Sequence, residues 1–120
     1  MSGGYAVAHD RLCVALEQGA QGVRTLRRPG VAGETPLAYV QPPTLSWDGF
    51  EIDPTEAVFE VILAVAADEK AIERLFDLLP QVTNALDQAE DAVVKSAEPG
   101  VWRAGASELP AYFIRVEVAI

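Results

Sequence analysis

Ala57-Val58-Phe59-Glu60-Val61-Ile62-Leu63-Ala64-Val65-Ala66 is the stretch that decides the fold. Successive side chains of an extended chain point to opposite sides, so Phe59, Val61, Leu63 and Val65 share one face. Val58, Glu60, Ile62 and Ala64 take the other, a mixed and partly wet face on which Ile62 is the notable apolar member. Just beyond, Asp68 is placed to cap a helix, its carboxylate accepting an orphan backbone N–H. Ile72, Leu75, Phe76, Leu79, Val82, Thr83 and Leu86 then recur at helical spacing, with Glu73, Arg74, Asp77, Gln81, Asn84 and Gln88 opposite. Pro80 lies inside the pattern and removes one hydrogen bond. The apolar stripe continues past it, so one kinked helix is expected, packed on a sheet through Leu75, Phe76, Leu79 and Val82.

Toward the C-terminus, Val93 to Ser96 reads as a strand, Glu98-Pro99-Gly100 as a turn, and Val101-Trp102-Arg103 as a further extended piece. Ala111 to Ile120 is the second strong strand. Tyr112, Ile114, Val116, Val118 and Ile120 face one way, and Phe113, Arg115, Glu117 and Ala119 the other. Toward the N-terminus, Leu45 to Trp47, Leu37 to Val40 and Val23 to Arg27 read as short strands. They are separated by Pro42-Pro43 and by a loop from Arg28 to Pro36 that is rich in proline and glycine. Tyr5 to Gln18 is expected to be a helix, with Tyr5, Ala8, Leu12, Ala15 and Leu16 on one face and glycine after it as a stop. Few helices and many consecutive strands predict an α+β fold. It is a single domain over residues 1–120: a mainly antiparallel sheet with an N-terminal helix and one long central helix packed on it.

Half of the 120 residues are apolar, enough for a core without staples. A lone cysteine, Cys13, leaves no internal disulfide framework and no cysteine-based zinc site. No signal peptide and no apolar run of spanning length stand out, so a soluble protein made in a cytoplasm is expected, with no membrane partner. The net charge of −9 argues against a nucleic-acid-reading module. Its distribution is blocked. Arg24, Arg27 and Arg28 form a short basic cluster, and no Lys or Arg follows until Lys70. Between them lie Glu34, Asp48, Glu51, Asp53, Glu56, Glu60, Asp68 and Glu69.

No catalytic constellation is present: no nucleophile elbow, no Walker loop, no dinucleotide fingerprint. His9 and Cys13 are four apart on the first helix, the spacing of two metal ligands, but a third histidine or cysteine is missing. His9 therefore reads as structural or exposed. Asp48, Glu51, Asp53 and Glu56 are dense enough for a hard cation, yet their spacing matches no calcium loop. No catalytic residue, cofactor or metal is assigned, and the chain is not expected to be an enzyme. Trp47 and Trp102 lie beside turns and charge, as core caps or as interface anchors. With Ile62 and Phe113 on the mixed faces of the strong strands, and with Arg24, Arg27 and Arg28, they make up the candidate subunit or partner interface.

Four stretches resemble tail terminator proteins of siphophages that infect actinobacteria. They are Pro42-Pro43-Thr44-Leu45-Ser46-Trp47-Asp48-Gly49, Ala57-Val58-Phe59-Glu60-Val61, Glu73-Arg74-Leu75-Phe76-Asp77-Leu78-Leu79-Pro80, and Gly100-Val101-Trp102 leading to Leu109-Pro110-Ala111-Tyr112. The likeness runs from about Gly22 to Ile120 and rests on order, spacing and length together. It implies a small α+β subunit of a homohexameric ring at the head-proximal end of the virion tail. The ring would sit on the tail tube protein, stop tube growth and offer a surface to the head–tail connector protein. DNA would pass through its channel without specific binding. The family has no catalytic residues to transfer.

A head–tail connector or stopper ring is the nearest alternative. A small acidic ligand-binding or enzyme domain, and an acidic inhibitor that mimics DNA, come from other classes. For the charge blocks, the expectation is that Asp48, Glu51, Asp53 and Glu56 face a channel or rim, where acid repels phosphates. Arg24, Arg27 and Arg28 would meet acidic groups on a neighbouring subunit.

Overall fold

The computed structural model describes residues 4–28, 35–50 and 52–120. Most of the expected 28–36 loop, Glu34 within it, and Glu51 lie outside these. In chain order the elements are α1 (Gly4–Gly19), β1 (Arg24–Leu26), β2 (Leu37–Val40), β3 (Thr44–Ser46), β4 (Glu56–Ala64), α2 (Ala71–Asp87), β5 (Ala92–Ala104) and β6 (Ser107–Ala119). The fold is α+β, as the alternation of β4 and β6 and the period of α2 predict. The six-stranded sheet runs β1-β2-β4-β6-β5, with β3 on β4 beyond the end of β2. Among the described residues, only β1 and β2 pair in parallel.

Both helices cover one face of this sheet. Phe59, Val61, Leu63 and Val65, with Ile114, Val116 and Val118 of β6, are closed off from solvent beneath Leu12 and Leu16 of α1 and Leu75, Val82 and Leu86 of α2. The two helices meet at Gly19. A β-carbon there would lie 2.8 Å from that of Ala85, so the absence of a side chain is what lets them approach.

The opposite face carries a second, smaller core. Leu37, Tyr39, Ile62, Ala64, Leu109 and Ala111 are buried on it, with Leu26, Trp102 and Phe113 packed around them. Tyr39 and Trp102 stand on β2 and β5, three strand spacings apart, which is about 14 Å in a flat sheet. Their ring centroids are 6.0 Å apart. The two large side chains lean across β4 and β6 and roof this end of the sheet. As a result both faces of β4 are dry from Val61 to Val65, where a partly wet second face was expected.

Three local expectations are corrected. Glu98-Pro99-Gly100 is not a turn: β5 spans thirteen residues, with a bulge at Lys95, and pairs Pro99 with Tyr112 and Gly100 with Ala111. Proline is tolerated because β5 is an edge strand and its missing N–H faces no partner strand. Gly100 is there because the Phe113 ring lies over it; a β-carbon would sit 2.6 Å from that ring. The true reversal is Gly105-Ala106, with Gly105 at φ +63°, the glycine-first pattern of a two-residue hairpin.

Second, α2 is rotated from its expected setting. Its buried line is Ala71, Leu75, Val82, Ala85 and Leu86, whereas Ile72 and Phe76 point outward, Phe76 with 59% of its surface exposed. The apolar arc of the helix is wider than the sheet contact, and periodicity alone does not say which flank is left over. The helix continues through Pro80 as one element, as expected, and the Thr83 hydroxyl donates to the Leu79 carbonyl at 2.9 Å one turn back.

Third, Asp68 is not the N-cap of α2; Lys70 holds that position without a side-chain cap. Asp68 instead shapes the turn before it. Its carboxylate accepts from the Lys70 backbone N–H at 2.9 Å and from the Arg74 guanidinium at 2.6 Å. The Arg74 bond, then the Lys70 N–H, hold the Asp68 carboxyl below its ordinary pKa. A carboxyl with a lowered folded-state pKa stabilises the fold above its unfolded pKa and loses that contribution as pH falls through the folded value. Asp68→Asn is therefore expected to melt slightly below wild type at neutral pH. The difference should close in acid, as thermal scans of both proteins across pH would show. The site is exposed, so the effect is small.

Candidate functional site

Pro42 and Pro43 end β2, and β3 then pairs with the start of β4, Ser46 opposite Glu56. What lies between, residues 47–50 and 52–55 as described, is a loop pinned at its base by the Thr55 N–H donating to the Ser46 carbonyl at 2.9 Å. Gly49 turns it with φ +67°. The Trp47 indole N–H donates to the Ile52 carbonyl at 3.2 Å, so the ring braces the loop from outside. Trp47 is half exposed, and Phe50 and Ile52 are almost wholly so. Burying such a side chain is ordinarily worth about 1.5–3 kcal/mol. The monomer leaves that gain unrealised at three neighbouring positions. Asp48, Asp53 and Glu56 stand exposed around them.

Trp47 is half exposed and belongs to neither core, while Trp102 is half-buried against Tyr39 and packs on the second core. Ile62 is fully buried in the second core and is not available to a partner, contrary to its place among the interface candidates. Phe113 is half-buried over Gly100.

The basic cluster divides. Arg27 is engaged within its own chain, donating to Asp10 at 2.6 Å and Glu17 at 2.9 Å on α1, and so does not await a neighbour's acids. Arg24 and Arg28 are exposed and make no ion pair among the described residues. By register Arg24 and Leu26 lie beside Leu37 and Tyr39, on the face that carries the second core.

His9 is a fastener. Its Nε2–H donates to the Val40 carbonyl at 2.9 Å, which joins α1 to β2, and its ring lies beside Phe59. That tautomer follows from the partner, since a carbonyl only accepts. Cys13 is enclosed next to it, and burial raises its thiol to about 11, far from a reactive thiolate. Among the described residues no group of three His, Cys, Asp or Glu side chains is arranged to hold a metal ion, and no helix is long and apolar enough to cross a membrane. The hollows are open grooves. The one at Thr55, Glu56, Asp91 and Lys95, about 280 Å³, contains the Lys95–Glu117 ion pair at 3.3 Å.

No protein-family model and no curated protein matches this chain.

Phe50 and Ile52, the most exposed apolar groups, did not stand out in the sequence. The signal was a short apolar series, Trp47, Phe50 and Ile52, set among Asp, Gly and Pro where no strand could bury it.

Proposed function

We propose that this chain is a ring-forming virion protein of the tail terminator type, without enzymatic activity. It would cap the tail tube, stop its growth and present a joining surface to the head–tail connector while DNA passes through the channel. The observation that carries the reading is that the resembling stretch Pro42–Gly49 leads directly into a loop whose Trp47, Phe50 and Ile52 face solvent. Clustered exposed apolar side chains mark a surface made for another protein. The outward flank of α2, with Ile72 and Phe76, offers a second such surface. One surface for a sister subunit and another for the tube is what a terminal ring needs. The net charge of −9 suits a channel that must not retain DNA, because every neutralised phosphate would add affinity.

Deleting the gene and imaging the particles tests this. Tails of uncontrolled length and heads without tails are expected. Tails of normal length joined to filled heads would refute the reading.

A further inference from the structure

We infer that the 47–55 loop of one copy docks on the second-core face of the next, with Asp48 and Asp53 meeting Arg24 and Arg28. This rests on the ring reading above and names the contact that would close it. The loop carries Phe50 and Ile52 between Asp48 and Asp53, with Trp47 just before Asp48. Its complement is an apolar surface bordered by unpaired cations. This chain presents one where Leu26, Trp102 and Phe113 are partly exposed and Arg24 and Arg28 lie alongside on and just after β1. Two other cations, Lys70 and Arg115, are likewise exposed and without an ion pair among the described residues, but neither is on β1. Arg11, Arg27, Arg74, Lys95 and Arg103 each have a carboxylate within the chain.

Charge and position narrow the ways two copies could meet. The loop precedes Glu56, which pairs with Ala119; the receiving face lies around Ala64, which pairs with Ala111. The two surfaces are thus toward opposite ends of β4 and β6, in a subunit 51 Å long and 28 × 22 Å across. A two-fold contact of loop on loop would set acid against acid. Loop on basic edge sets opposite charges together; repeated head-to-tail, as the ring reading requires, it closes into a ring when its rotation permits, whereas a reciprocal exchange about a two-fold axis would stop at a dimer, which sedimentation tells apart.

Sedimentation of the purified chain at low and high salt tests the contact. Wild type should self-associate, less so at high salt. Asp48→Arg with Asp53→Arg, and separately Arg24→Glu with Arg28→Glu, should each weaken association by about tenfold or more. Phe50→Ser should also weaken it, without a change in melting temperature. Mixing the two charge-reversed proteins restores matching charges at every junction and should restore association, an outcome that no folding defect would produce. A wild-type chain that stays monomeric at every concentration, or reversed proteins that do not recover on mixing, overturns the inference. The terminator reading fails separately, if particles lacking the chain have normal tails while the mixed variants still associate.

Discussion

Replacing Phe59 by alanine is expected to lower the unfolding free energy by about 3–5 kcal/mol, the range for a large buried aromatic cut back in a close-packed core. Phe59 is wholly enclosed on the helix-covered face of β4, with the His9 ring beside it. Helices and sheet meet there, so the cavity has little room to collapse. A small domain has only about 5–15 kcal/mol in total, so this one change would remove a large share of it. Phe76→Ala is the control. The same truncation on the outward side of α2 should stay within about 1 kcal/mol, because most of that ring is already in water. Urea unfolding of the two proteins decides the matter. Equal losses would mean that α2 is turned the other way.

Ile62→Asp should be more damaging still. Ile62 is completely buried between Tyr39 and Phe113 strands, on the face that alternation alone would leave partly wet. A carboxylate there has no cation within the second core, and an unpaired buried charge costs several kcal/mol even after relaxation. The expected result at neutral pH is loss of cooperative unfolding. If Ile62 were an interface residue on a solvated face, the substitution would instead leave a stable monomer and abolish only association. Circular dichroism melts of the purified variant separate these outcomes.

The pattern of elements was legible because it rests on local physics. The alternation of β4 and β6 and the period of α2 follow from side-chain geometry along a single element, and the structure keeps them. The errors arose where the answer depended on a neighbour. Pro99 and Gly100 look like a turn until β6 is beside them, with Phe113 filling the space above the glycine. Ile72 and Phe76 belong to the apolar arc of α2, but which flank meets the sheet is set by the packing of Ala85 against Gly19. Ile62 looked half-wet because the roof over it comes from Tyr39 and Trp102, far apart in the chain. Among the site residues, Trp47 and Trp102 were legible as lying beside turns and charge, but not which of the two is covered, since that depends on Tyr39 standing across the sheet from Trp102. Nor was the engagement of Arg27 legible, since Asp10 and Glu17 reach it only once α1 lies beside β1.

The doubled core has a consequence for how this sequence can drift. On a strand with one wet face, every second position tolerates polar replacement. Here the five positions from Val61 to Val65 are all enclosed, while Glu56 and Glu60 near the other end stand in water. Tolerance along β4 is therefore lopsided. Its first half can exchange polar residues at alternate sites. Its second half admits only apolar groups of similar volume, because each position there is packed from one side or the other of the same strand. Descendants of this chain should diverge fastest where the loop meets the strand, and keep an unbroken apolar run just ahead of the turn into α2.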